Sequence, residues 1–126
     1  MRRPILRPIL PIVLLATAAP AADRRVPDAI PVGQPQSCIP IAAIRESRVR
    51  SDSVIDFVMR GSVVYRVRLP QGCPGLGFEQ RFSYQTSLSR LCSQDVITVF
   101  STAPVMRGAS CGLAPFQPVT LAKRVR

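Results

Sequence analysis

The chain has 126 residues, with 17 Lys and Arg against 7 Asp and Glu, 4 Cys, 13 Pro, and neither His nor Trp. Domains typically contain roughly 100 to 150 residues, so this length allows one domain. Histidine is the side chain that titrates near neutral pH without special tuning, and its absence excludes His-based triads and His-rich metal sites. Most ordinary catalytic designs are therefore excluded by composition.

The N-terminus has the three parts of a secretory signal peptide. Met1–Arg7 carries three arginines, Pro8–Ala22 is uncharged, and small residues fill its end. Ala19-Pro20-Ala21 fits the A-x-A cleavage pattern, so we predict that residues 1–21 are removed. A membrane anchor is the alternative, but this uncharged stretch has 15 residues and three prolines. A spanning helix needs about 20 apolar residues, so we expect no membrane span.

The basic charge is a weak guide to function. Cleavage after Ala21 would leave 105 residues and remove Arg2, Arg3 and Arg7, which lowers the formal charge from +10 to +7. Of the 17 basic residues, 16 are Arg. Because a GC-rich genome produces such a bias without any ligand, the placement of the basic residues matters more than their number.

Four cysteines are spread along the mature chain: Cys38, Cys73, Cys92 and Cys111, with 34, 18 and 18 residues between them. No C-x-x-C pair occurs, so the spacing favours neither a redox pair nor a zinc site. In an exported chain this pattern predicts two structural disulfides. Three pairings are open; we favour Cys73 with Cys92 and Cys38 with Cys111, because the second pair would tie together the two ends of the domain.

The mature chain divides into a leader, a domain and a tail. Ala22–Ser37 contains three prolines and no periodic apolar pattern, which predicts a flexible leader. We expect a small disulfide-linked β domain over residues 38–122. The last four residues, Lys123–Arg126, form a basic tail.

A β-hairpin is the clearest structural prediction. Val54–Met59 and Val63–Leu69 both alternate between apolar and polar residues, and a turn with Gly61 joins them. The alternation predicts half-buried strands with Asp56 and Arg66 on the solvent face.

Shorter elements complete a mainly β fold. We predict one helical turn near Ile41–Ile44 and a constrained loop over Pro70–Gly77. Further strands are predicted at Arg81–Tyr84, Asp95–Phe100 and Val119–Ala122, with a loop over Ala103–Pro118. The sum is a small antiparallel sheet or partly closed barrel of about five or six strands.

Four carboxylates are the candidates for acid–base catalysis: Asp52, Asp56, Glu79 and Asp95. A glycosidase needs two of them across a cleft at about 5 to 9.5 Å. Asp52 and Asp56 flank the start of a predicted strand and Asp95 precedes another, so turn capping or solvent exposure explains these three. A carboxylate-dependent hydrolase is therefore the least favoured alternative, and it requires two of the four in one pocket.

Other catalytic motifs are weaker still. Without histidine, a nucleophilic serine needs an amine as its base, and the single lysine, Lys123, lies in the predicted tail. Gly75-Leu76-Gly77 lacks the third glycine of a phosphate-binding loop, and we expect no helix after it. We therefore predict no catalytic residue, no metal and no cofactor.

An arginine strip is the basis of the second functional alternative. We place Arg66 and Arg68 on the outer face of one strand, with Arg60 and Arg81 near them. Such a strip would bind an anionic polymer, either nucleic acid or an anionic envelope polymer, through phosphate contacts and stacking. A solvated outer face explains the same residues, so the hypothesis requires all four arginines on one exposed face.

Residues spread along the whole domain form an order that resembles a known family. They are Cys38-Ile39, Ile44-Arg45, Asp52, Ile55-x-Phe57, Arg60-Gly61, Tyr65, Leu69, Cys73-Pro74-Gly75-Leu76, Phe82-Ser83-Tyr84, Leu91-Cys92-x-x-Asp95-x-Ile97-x-Val99 and Cys111-Gly112. Over roughly residues 38–118 this order resembles a family of small exported bacterial proteins classed as a domain of unknown function. The resemblance implies a small disulfide-containing domain behind a signal peptide, and it supplies no established activity, cofactor or catalytic residue to carry over.

Taken together, the sequence predicts a periplasmic or secreted β domain that is not an enzyme. Its expected role is binding or structural association in the cell envelope, with a protein or envelope component as partner. We expect no specific nucleic-acid partner, because an exported protein rarely meets one.

Overall fold

A computed structural model of the chain describes residues 3–6, 8–15, 26–86, 88–102 and 104–122. Residues 3–6 and 8–15 are exposed and lie in no helix or strand. The predicted cleavage site after Ala21 and the tail Lys123–Arg126 lie outside the described residues. Within those residues, we find no helix with the length and apolar character that a membrane-crossing helix requires.

In the part of the chain that the structure describes, ten short strands form the domain, together with one 3-10 turn at Ile41–Ala43 and one helical turn, α1, at Leu76–Glu79. The strands are β1 (Ala29–Pro31), β2 (Cys38–Pro40), β3 (Ile44–Val49), β4 (Val54–Met59), β5 (Val64–Arg68), β6 (Phe82–Tyr84), β7 (Arg90–Cys92), β8 (Val96–Thr102), β9 (Val105–Gly112) and β10 (Gln117–Leu121). They pair into three sheets, ordered β1-β10-β5-β4-β3, β6-β8-β9 and β2-β7. All pairs are antiparallel.

The predicted fold class is confirmed. The hairpin of β4 and β5 is present with the predicted bounds to within one residue, and Phe57 lies opposite Tyr65 in it. The 3-10 turn falls within the predicted helical turn. In the described part of the chain the sheets are separate and none closes into a barrel. The strands outnumber the five or six expected because several have only three residues.

The folded domain begins earlier than predicted. Ala29–Pro31 forms strand β1 and pairs with β10, and Gln36 pairs with Phe116. The flexible leader predicted over residues 22–37 is therefore wrong for this part. Its prolines were misleading because β1 lies at the edge of its sheet, where a residue without an N–H is tolerated.

Two edge strands also escaped prediction. The predicted loop over Ala103–Pro118 contains strand β9, which pairs with β8. Strand β3 pairs with β4 at the edge of the five-stranded sheet. Most residues of both strands are exposed, so neither shows the apolar alternation that marks a half-buried strand.

The core lies where the sheets meet. The Phe57 ring contacts Phe116 and Phe82 edge-on, with ring centroids 5.7 Å and 6.3 Å apart. Ile97 and Leu76 are fully buried in the same cluster. Because Phe82 and Ile97 belong to the three-stranded sheet and Leu76 to α1, one apolar cluster joins the hairpin to both.

The two disulfides pair differently from the favoured arrangement. They join Cys38 to Cys92 and Cys73 to Cys111, with Cα atoms 4.0 Å and 5.8 Å apart. Cys38 and Cys92 lie directly opposite each other in the β2–β7 pair. The favoured pairing assumed that a disulfide ties the ends of the domain together. In the structure, the pairing of β1 with β10 joins the two ends of the domain instead, and the disulfides connect other parts of the chain.

Candidate functional site

Asp56 lies at the centre of a buried ion-pair cluster. It is opposite Arg66 in the register of β4 and β5. Arg66 donates from Nε to Oδ1 at 2.8 Å and from Nη2 to Oδ2 at 2.9 Å, and its Nη1 donates to the carbonyl oxygen of Pro27 at 2.8 Å. The side chain of Asp56 is fully buried and that of Arg66 is 3% exposed. The bidentate geometry fixes both side chains, because two parallel bonds define one orientation.

Arg50 brings a second cation to the same carboxylate. It lies just after β3, where its backbone N–H donates to the carbonyl oxygen of Val54 at 2.9 Å. Its Nε donates to Asp56 Oδ2 at 2.9 Å, and its side chain is 15% exposed. One carboxylate therefore faces two guanidinium groups, and the cluster of Arg50, Asp56 and Arg66 carries one uncompensated positive charge.

The prediction that Asp56 and Arg66 lie on a solvent face is wrong. All six residues of β4 are buried, including Asp56. Arg50 and the carbonyl group of Pro27 contact this second face of the hairpin and cover the pair. Alternation in a sequence shows which side chains share a face of a strand. It does not show whether the polar face is exposed to water or is covered by a residue of opposite charge.

The predicted arginine strip is not a single exposed face. Arg66 is buried, whereas Arg60, Arg68 and Arg81 are exposed. Arg60 follows β4 at the hairpin turn, while Arg68 lies opposite Val54 at the other end of the hairpin. Arg81 precedes β6 in a different sheet. The structure therefore separates the four arginines that the polymer hypothesis required on one face.

A cleft of about 940 Å³ opens beside the ion-pair cluster. Charged and hydroxyl side chains line it, among them Arg50, Arg66, Arg68, Asp28, Asp52 and Ser53. A second cleft of about 360 Å³ shares Arg66 and Arg68 and is bordered by three prolines, Pro31, Pro35 and Pro115. The two clefts thus adjoin along one side of the β4–β5 hairpin. Their sizes are typical of small-molecule binding sites.

Three of the four candidate carboxylates, Asp52, Asp56 and Asp95, hold other parts of the fold in place. Asp52 Oδ1 accepts the backbone N–H of Gly77 at 2.7 Å, and Asp95 Oδ2 accepts the backbone N–H of Cys92 at 2.7 Å. Asp56 is held between two arginines, and Glu79 lies on α1. The hydrolase alternative required two of these four carboxylates in one pocket, whereas among the described residues this cleft holds one of the four, Asp52, beside Asp28.

Gly77 belongs to α1 and lies against Asp52 in the wall of the cleft. A Cβ atom at this position would lie 2.9 Å from Asp52 Oδ1 and 3.2 Å from the backbone nitrogen of Asp52. The loop carrying Cys73 is held to the same turn, since the Cys73 N–H donates to the carbonyl oxygen of Asp52 at 2.7 Å. The β3–β4 turn and α1 therefore form one hydrogen-bonded unit that requires glycine at residue 77.

Substitution of Gly77 by Ala is expected to destabilise the domain by about 1 to 3 kcal/mol, because the added methyl group displaces Asp52 and breaks its bond to the backbone. Urea unfolding followed by far-UV circular dichroism measures the change. Gly112→Ala is the matched control, since a Cβ there meets nothing within 4 Å. Equal unfolding midpoints for the two variants would contradict the role given to Gly77.

Sequence reasoning missed Arg50 and treated Asp56 as a free carboxylate. One available signal was the hairpin register itself: aligning Val54–Met59 against Val64–Arg68 places Asp56 opposite Arg66. The contribution of Arg50 had no such signal, because it comes from a turn beside an edge strand that was not predicted.

On β3 itself, the hydrogen bond from Arg48 holds the pKa of the exposed Glu46 carboxyl below its ordinary value.

The cleft and the ion-pair cluster beside it together form the candidate functional site. Among the described residues, no group of three or more Cys, Asp or Glu side chains is placed to hold a metal ion. Compared with models of known protein families, with curated proteins and with solved structures, the chain shows no match.

Proposed function

We propose that this chain is an exported, non-enzymatic β domain that acts by binding a protein or another component of the cell envelope. The periplasm or the extracellular space is the proposed location. The order of residues that resembles small exported bacterial proteins supports this location.

Two features support export. The two disulfides Cys38–Cys92 and Cys73–Cys111 are consistent with an oxidising compartment, where such bonds form and persist. The apolar N-terminal segment is exposed along residues 3–6 and 8–15 instead of packing into the core. A segment of this composition that contributes nothing to the core is typical of a removable signal peptide.

The cleft is the observation that supports a binding function. Its wall is held by the ion pairs of Asp56 and by the hydrogen bond between Asp52 and Gly77, so its shape is set before any ligand arrives. A preformed cleft with a few fixed polar groups is the usual form of a ligand site. Asp52 and Asp56 are engaged in holding this wall, which supports recognition over acid–base chemistry.

Affinity capture from a periplasmic extract tests the proposal, with the oxidised protein immobilised as bait. We expect one defined component to be retained by the wild type and at least as well by Asp52→Asn, because the Asn oxygen still accepts the Gly77 N–H and the substitution removes a negative charge from the cleft. Reduction of the disulfides should abolish retention. Chemical conversion of the retained component by the wild type, lost in Asp52→Asn, would overturn the non-enzymatic assignment.

A further inference from the structure

The uncompensated charge of the ion-pair cluster is concentrated on Arg50. Asp56 already accepts two bonds from Arg66, so the bidentate pair of these residues is neutral by itself. Arg50 adds a single bond, from Nε. Within the described residues this is its one side-chain hydrogen bond, and the two terminal nitrogens of its guanidinium group make none.

Those terminal nitrogens face the cleft. Among the described residues, no buried side-chain nitrogen or oxygen lacks a hydrogen-bond partner. The unbonded nitrogens of Arg50 are therefore accessible, and Arg50 lines the cleft. A guanidinium group that is largely removed from water but keeps unbonded N–H groups is a fixed donor for an oxyanion.

Arg68 adds a second cation to the same cleft. It follows Arg66 by two residues on β5, so the two side chains project from the same face of the strand. Arg68 is exposed and lines both clefts, where they adjoin. An oxyanion bound to Arg50 would thus lie in a cleft that also carries the charge of Arg68.

The acidic residues of the cleft restrict the class of ligand. Asp28 and Asp52 lie in the same lining and are exposed. A polymer with closely repeated negative charges would bring some of them against these carboxylates, and like charges at short range repel each other. A ligand with one isolated oxyanionic group avoids this repulsion.

We propose that the cleft binds a small ligand through a single oxyanionic group, carboxylate or phosphate, held by Arg50 and assisted by Arg68. This inference rests on the proposed binding function and specifies its ligand chemistry. It differs from the arginine strip predicted from the sequence, because Arg66 acts here only through Asp56, as a positioning residue.

Titration followed by ¹H–¹⁵N NMR, including the Arg Nε–H signals, tests this proposal on the oxidised protein. The probes are N-acetyl-alanyl-alanine, its C-terminal amide and glycerol phosphate. We expect saturable shifts of the Arg50 Nε–H and the Arg68 signals with the free acid or with glycerol phosphate, and none with the amide. Saturation by the acid alone identifies a carboxylate ligand, and by the phosphate alone a phosphate ligand.

Two variants and a control complete the experiment. Arg50→Gln leaves the bidentate Arg66–Asp56 pair in place and should weaken anion binding at least tenfold, as expected for a lost charge-assisted bond. Arg68→Gln should weaken it less, because Arg68 is exposed and its charge is better screened by water. Arg60→Gln removes the same charge at the hairpin turn and should bind like the wild type.

The proposal is overturned if acid and amide give the same shifts, if Arg60→Gln loses as much affinity as Arg50→Gln, or if neither anion saturates. None of these results affects the capture experiment with periplasmic extract. Conversely, anion binding that depends on Arg50, together with failed capture, would overturn the envelope-binding function and leave the site intact.

Discussion

Replacement of Cys38 and Cys92 by Ala is expected to lower the free energy of unfolding by about 4 kcal/mol, and the same change at Cys73 and Cys111 by a similar amount. The bridges span sequence separations of 54 and 38 residues, and the entropy removed from the unfolded chain grows with loop length. Domains of this size have a total stability on the order of 5 to 15 kcal/mol, so loss of both bridges should leave the domain largely unfolded.

Urea unfolding of the oxidised wild type, the two paired variants and the reduced wild type measures these losses. Removal of the Cys73–Cys111 bridge should also weaken ligand binding more than removal of the Cys38–Cys92 bridge. The Cys73–Cys111 bridge anchors the loop that is bonded to Asp52, whereas Cys38–Cys92 joins β2 to β7, outside the cleft lining. A reduced protein that unfolds cooperatively at the wild-type urea concentration would show that packing alone stabilises the fold.

Replacement of Asp56 by Asn should cost about 3 to 5 kcal/mol, although the two side chains have nearly the same shape. The substitution leaves the buried guanidinium group of Arg66 without a counter-charge, and an unpaired buried charge is among the most destabilising changes known. The charge of Arg50 should contribute less to this loss, because its side chain is 15% exposed and its terminal nitrogens are accessible to water.

Two comparisons isolate the cause. Glu46→Gln removes a carboxylate from an ion pair whose side chains are 44% and 45% exposed, and its effect should stay within about 0.5 kcal/mol. Arg66→Met added to Asp56→Asn should recover part of the lost stability, because no unpaired charge then remains in the core. If Arg66→Met instead adds its own full cost, the loss in Asp56→Asn has another origin.

The hairpin and the fold class could be predicted because both depend on local pattern. Ile55, Phe57 and Met59 alternate with other residues at the period of a strand, and all three lie in the core as expected. Gly61 marks the turn and has a positive φ of 85°. Such signals depend only on residues that are close together in the sequence.

The disulfide pairing and the start of the domain depend on contacts that are distant in sequence. Cys38 meets Cys92 because β2 pairs with β7, yet both strands have only three residues and carry no distinctive pattern. Likewise, Ala29–Pro31 becomes a strand by pairing with β10, some 90 residues later in the chain. Tertiary pairing overrides the local preference of a proline-rich segment in this case.

The candidate site could be predicted only in its parts. The sequence singled out Asp52, Asp56, Arg66 and Arg68, and each lies in or directly behind the cleft. Their roles were not accessible, because burial decides whether a charged side chain is a solvated group or half of an ion pair. Arg50 was missed partly for the same reason, because the alternation in β4 predicts that its partner, Asp56, faces water.

Mass spectrometry of unreduced protein from its native host tests the central claim most directly. Peptide mapping should recover crosslinked peptides that join Cys38 to Cys92 and Cys73 to Cys111, on a chain whose first residue is Ala22. Four free thiols on a chain that still begins at Met1 would contradict export and disulfide stabilisation together.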